Sequence, residues 1–104
     1  MSAEILIIDD NSDIREILND LIIEAGYSTR LAANYNQALS EIDKKLPDVA
    51  IIDVKLDKGD NDGIELLNHI KNKNSNIPVI IISGHANIDM AIKSLKSGAF
   101  EFIQ

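Results

Sequence analysis

Asp9 and Asp10 stand side by side at the end of the run EILIIDD, Asp53 follows the run VAII, and Ser83 follows PVIII. Three carboxylates and a hydroxyl suit a small cleft that holds a hard divalent cation. Mg²⁺ (or Mn²⁺) takes oxygen ligands and usually retains waters. A carboxylate is also a competent nucleophile toward phosphorus, and aspartyl phosphates are known covalent intermediates. Asp53 stands alone at its run's end and is the candidate nucleophile as well as a metal ligand. Asp9 and Asp10 are paired for the metal, and Ser83 offers a hydroxyl to a phosphoryl oxygen. A cation would also relieve the repulsion between adjacent aspartates, which is costly once they are desolvated.

Each residue has an ordinary alternative. Asp9 and Asp10 precede a helical pattern, where acidic side chains favour the positive end of the helix dipole. Asp53 could begin a loop, and Ser83 could be a turn residue. What argues for a site is that every one of these positions closes an aliphatic run. His85 has no partner at metal-ligand spacing and receives no role, and His69, in a polar helical stretch, is expected in solvent.

The runs 4–8, 48–52 and 78–82 are short and almost wholly aliphatic, as strands buried on both faces are. Residues 27–32 form a more polar strand suited to a sheet edge, and 100–104 begin a fifth. Helical patterns lie between them. In 12–25, Ile14, Ile17, Leu18, Leu21 and Ile22 recur at spacings of three and four, with Gly26 as the stop. Asn34 is placed to cap a helix over 34–45 that turns Ala38, Leu39 and Ile42 inward. The pattern over 63–73 aligns Ile64, Leu67 and Ile70, and 87–97 aligns Ile88, Ala91, Ile92 and Leu95 before Gly98. Strands alternating with helices predict an α/β domain with a parallel sheet covered on both faces. Ligands of such sheets bind outside the carboxyl ends of the strands, which is where the aspartates and Ser83 fall.

The chain has 104 residues, 45% hydrophobic and 26% charged, so one ordinary globular domain is expected. Its net charge of −7 argues against gripping nucleic acid through phosphate neutralisation and suits a cation or a basic protein partner. There is no cysteine, hence no disulfide framework or thiolate metal site. No apolar run reaches membrane-spanning length, and the expected location is cytoplasmic.

In order and spacing, "IIDDNSDIR", "AIIDVKL", "DGIELL", "VIIISGH" and "GAFEF" resemble the receiver domain of bacterial two-component response regulators over essentially the whole chain. The resemblance implies a three-layer flavodoxin-like fold with a five-stranded parallel sheet of order 2-1-3-4-5. It implies that a sensor histidine kinase donates a phosphoryl group to Asp53, with Mg²⁺ required. By the same match Asp10 binds the metal directly, Asp9 acts mainly through water, and Lys55 lends its backbone carbonyl. Ser83 moves toward the phosphoryl group and Phe102 turns inward, which switches the face built from 87–103. The long segment "DVKLDKGDNDG" and the stretch "ISGHANIDMAIKSLKSGAFEFIQ" are most similar to receivers of the nitrogen-regulation NtrC/NtrX-type transcription factors, the NtrX type above all.

The chain departs from the family pattern at its end. Family members carry a lysine one position beyond Gln104 and then a fifth helix. Residues 1–104 are therefore read as a receiver taken from a longer protein, without the family's ATPase and DNA-binding domains. The apolar surface left by a missing helix is expected to drive self-association. Lys55 is close enough in sequence to Asp53 to substitute for the missing lysine, although a solvated loop lysine is the favoured account of it. Among rival functions, a Mg²⁺-dependent aspartyl phosphatase of the haloacid-dehalogenase type would have an aspartate where Lys55 stands. An unphosphorylated interaction domain would have lost the acidic residues. A flavodoxin-like cofactor binder would have a glycine-rich loop after the first strand.

Overall fold

Five strands pair in parallel in the order β2-β1-β3-β4-β5. They are β1 (Glu4–Ile8), β2 (Ser28–Ala32), β3 (Val49–Asp53), β4 (Val79–Ile82) and β5 (Glu101–Ile103), with α1 (Ser12–Glu24), α2 (Tyr35–Lys44) and α3 (Asp62–Lys73) between them. The computed structural model describes residues 3–53, 62–82 and 101–103. The expected helix over 87–97 lies outside these residues, as do Lys55, Ser83, His85 and the side chain of Phe102.

The aliphatic runs became the inner strands because alternate side chains serve opposite faces. In β1, Leu6 and Ile8 join a core with Ala38 and Ile42 of α2 and with Ile64, Leu66, Leu67 and Ile70 of α3. Ile5 and Ile7 are also buried, on the face that carries α1. The polar strand β2 takes the edge, as expected, and Leu31 on it is exposed. Helix boundaries follow local chemistry. The side chain of Asn34 accepts the N–H of Gln37 at 2.8 Å and caps α2. Gly26, at φ +99°, turns the chain out of α1 in a conformation that costs a glycine little.

Arg30 ties the edge strand to the rest. Its Nε lies 3.0 Å from Glu4 Oε1 on β1. Its Nη1 donates to the main-chain oxygen of Glu41 at 2.8 Å and its Nη2 to that of Lys45 at 2.6 Å, so one guanidinium satisfies carbonyls at the end of α2.

The structure adds to the reading of one helix and corrects one residue. Helix α1 does not turn its whole apolar set inward. Ile14, Ile17 and Leu21 are 40%, 55% and 59% exposed, while Arg15, Leu18, Asn19 and Ile22 form the partly buried side. Spacing of three and four links Ile14, Ile17 and Leu21 into one stripe and Arg15, Leu18 and Ile22 into another, and the sheet receives the second. Asn19 helps fix this orientation by accepting the Thr29 hydroxyl of β2 at 2.6 Å. His69, in turn, is not simply in solvent. Its Nε2 sits 3.2 Å from Asp43 Oδ1, linking α3 to α2, and Lys73 Nζ approaches the same oxygen at 3.4 Å. The His69 contact, with help from Lys73, holds the Asp43 carboxyl below its ordinary range.

Arg30→Ala leaves Glu4 without its partner and removes the guanidinium donors to the Glu41 and Lys45 carbonyls, and should cost about 2–3 kcal/mol in urea unfolding. Leu21→Gln, on the exposed stripe, should change the same free energy by less than about 0.5 kcal/mol.

Candidate functional site

The register that pairs Ile8 with Ile52 sets the carboxyl ends of β1 and β3 level at the centre of the sheet. Asp9 comes next after Ile8, and Asp53 is the last residue of β3, so the adjacent strands deliver them to one edge. Carboxylate oxygens of Asp9, Asp10 and Asp53 all lie within 4.8 Å of one another. The three aspartates singled out in the sequence are therefore neighbours in space. Asp53 also lies level with Ile82, the last residue of β4. Ser83 and Lys55, the other residues expected here, fall outside the described residues.

The three carboxylates differ in environment. Asp9 is only 4% exposed and is the only polar or charged residue among the buried side chains described. Asp53 is half-buried and Asp10 exposed. Every polar part of Asp9 on the sheet side is tied down. Its N–H donates to the Ala32 carbonyl at 3.1 Å. Its Oδ1 accepts the Asn11 N–H at 2.9 Å, and its carbonyl accepts Arg15 Nη1 at 2.8 Å. Asn11 then uses its own Oδ1 to accept the N–H groups of Asp13 and Ile14, at 2.9 and 3.2 Å, and caps α1. Sequence reasoning missed both Asn11 and Arg15. An Asn ahead of a helical pattern was a readable cap signal. Arg15 shared its helix stripe with Leu18 and Ile22, which placed it toward the sheet.

Burial raises the Asp9 carboxyl above its ordinary 3.8; the Asn11 N–H opposes this, and the Asp10 charge adds to it. A hydrogen bond with Asp53 pulls the other way. At an effective dielectric constant of about 20, two unit charges at this spacing repel by roughly 3–4 kcal/mol. That is a large part of a domain's whole stability margin, so a cation among the three is what makes their full ionisation tolerable. The donor set is all oxygen, compact and anionic, and fits a hard divalent ion rather than a soft one.

Residues 5–104 match the family model for the response regulator receiver domain. This chain belongs to the response-regulator receiver family. The receiver is 39% identical over 104 residues to the nitrogen assimilation regulatory protein NtrX of Azorhizobium caulinodans, covering 100% of this chain and 23% of that protein. It is 40% identical over 99 residues to sporulation initiation phosphotransferase F of Bacillus subtilis, covering 95% of this chain and 78% of the relative. Among solved structures, the receiver domain of NtrX from Brucella abortus superposes with a TM-score of 0.85 at 36% identity, over 95% of this chain and 82% of that one. The receiver thus spans about a quarter of the length of the NtrX protein it matches. It is a receiver of the NtrX/NtrC type, with the strand order that the resemblance implied. Receivers bind Mg²⁺ at an acidic pocket and are phosphorylated by sensor histidine kinases.

The raised Asp9 fixes the sign of a pH effect. A carboxyl raised in the folded state gives its stability below the unfolded value and loses it as pH climbs through the folded one. Asp9→Asn keeps an acceptor for the Asn11 N–H but carries no charge. Without added metal, this variant should gain stability over the parent between about pH 4 and pH 7, by about 1.4 kcal/mol for each pH unit that burial has raised Asp9. Urea unfolding at the two pH values checks this.

Proposed function

We infer that this receiver accepts a phosphoryl group on Asp53 from the phosphohistidine of a sensor kinase, in a pocket that Asp9 and Asp10 complete as a Mg²⁺ site. The observation that supports this most is the convergence of three carboxylates from β1 and β3 within 4.8 Å, with one of them buried. Asp9, Asp10 and Asp53 would hold the ion, Asp10 directly and Asp9 mainly through water, with the Lys55 carbonyl as a further ligand. When bound, Mg²⁺ supplies the positive charge that lets carboxylates and phosphoryl oxygens share one pocket.

A carboxylate oxygen of Asp53 attacks the phosphorus, the P–N bond of the phosphohistidine breaks, and the departing imidazole takes its electron pair and then a proton. Ser83 would donate to a phosphoryl oxygen and, with Phe102, transmit the change to the 87–103 face. Asp9 and Asp10 contribute by position. Asp9 is fixed by three hydrogen bonds and needs no reordering when the donor arrives. The chain is a signalling domain that turns over no metabolite. Its expected setting is the cytoplasm, and its output, by likeness to NtrX, is transcriptional control in nitrogen regulation. Among the described residues no helix is long and apolar enough to cross a membrane.

Intact-protein mass after incubation with a small phosphodonor tests the central claim. A single adduct of phosphoryl mass should form with Mg²⁺, fail without it, and be lost in Asp53→Asn. An adduct that survives in Asp53→Asn would move the acceptor elsewhere.

Self-association belongs to the same proposal and is supported by the exposed stripe of Ile14, Ile17 and Leu21 on α1. Asp13, Glu16, Asp20 and Glu24 lie beside that stripe, and the net charge is −7, so two copies repel as they approach. Association should therefore strengthen with salt as this repulsion is screened. Sedimentation at about 0.05 and 0.5 M salt should show the weight-average mass rising, and Leu21→Glu should abolish the rise.

A further inference from the structure

Arg15 is the one basic side chain described in hydrogen-bonding contact with the segment that carries the acidic pocket. Its Nη1 donates to the main-chain oxygen of Asp9 at 2.8 Å, in a partly buried setting. That oxygen belongs to the peptide joining Asp9 to Asp10. A trans peptide is planar, so pinning its oxygen fixes the direction of the Asp10 N–H and the start of the Asp10 residue.

The two aspartates differ in how much they need this. Asp9 is buried, and its own N–H and Oδ1 are already engaged by Ala32 and Asn11. Asp10 is exposed, and its carboxylate meets the Asp9 carboxyl. The backbone it stands on also directs that carboxylate, and one of the groups holding that backbone is the Arg15 guanidinium. Arg15 is itself steadied by its place on the sheet-facing side of α1, with Leu18 and Ile22.

We propose that Arg15 is a positioning residue of the acidic pocket, locking the Asp9–Asp10 peptide so that Asp10 presents its carboxylate to a divalent cation. This rests on the reading of the pocket as a Mg²⁺ site and gives Arg15 a role that the resemblance did not assign. The rival role for Arg15 is electrostatic, and it has the opposite sign. A guanidinium acting only through its charge repels Mg²⁺, and removing it tightens binding.

The test is Mg²⁺ titration of the 104-residue chain by calorimetry, for the parent and for Arg15→Met, beside urea unfolding of both without metal. The positioning role predicts Mg²⁺ binding weakened by roughly 10-fold or more, the range seen when a group orienting a metal ligand is lost, with cooperative unfolding retained. Unchanged or tighter binding by Arg15→Met overturns the proposal while the parent's binding leaves the pocket reading intact. No binding by the parent overturns both. Arg15→Gln is read in the same way should Arg15→Met fail to fold. Its neutral amide stops short of the Asp9 carbonyl, so Mg²⁺ affinity equal to the parent's overturns the assignment.

Discussion

The repulsion among three carboxylates at the ends of β1 and β3 is the constraint around which this domain is arranged. A fold can hold like charges this close only on elements that do not give way, and β1 and β3 each have a paired strand on both sides. Leu6, Ile7, Ile8 and Ile52 are fully buried immediately behind the aspartates. Hydrophobic burial of these strands offsets the electrostatic cost at their ends, much as remote binding energy in an enzyme offsets strain at its reacting centre. Stability and function are opposed here, and the sheet core is where the opposition is settled.

The pocket is also coupled to the helix that follows it. Asp9, Asn11 and Arg15 form a short circuit of hydrogen bonds between the end of β1 and the first turn and a half of α1. On its other side the same helix exposes Ile14, Ile17 and Leu21. The first turns of α1 therefore connect the acidic pocket to an apolar surface within one rigid element. Arg30 plays an unrelated part at the distant edge, where it binds β2 to β1 and α2 and keeps the sheet from fraying.

Much of this was legible in the sequence because aliphatic runs in a parallel sheet announce both their length and their ends. Asp9, Asp10 and Asp53 could be selected as a group only because each closed such a run. Asn34 could be read as a cap because capping is local chemistry. The orientation of α1 was not legible. Its apolar residues satisfy two helical stripes at once, and only the fit of Arg15, Leu18 and Ile22 over the sheet chooses between them. The pairing of His69 with Asp43 was hidden for a related reason, since it depends on how α2 and α3 lie beside each other. Arg15 escaped because a bond to a main-chain oxygen leaves no mark in the pattern of side chains.

Asn11 divides its work between backbone and side chain. Its N–H holds the Asp9 carboxylate, while its side-chain oxygen starts α1. Any residue except proline supplies the first contact, and several short polar residues can supply the second. Sequence drift at this position is thus graded: serine, threonine or aspartate keeps both contacts, most other residues keep the pocket but loosen the helix start, and proline forfeits the link to Asp9. The pocket's geometry is insured against nearly every substitution that the position could acquire.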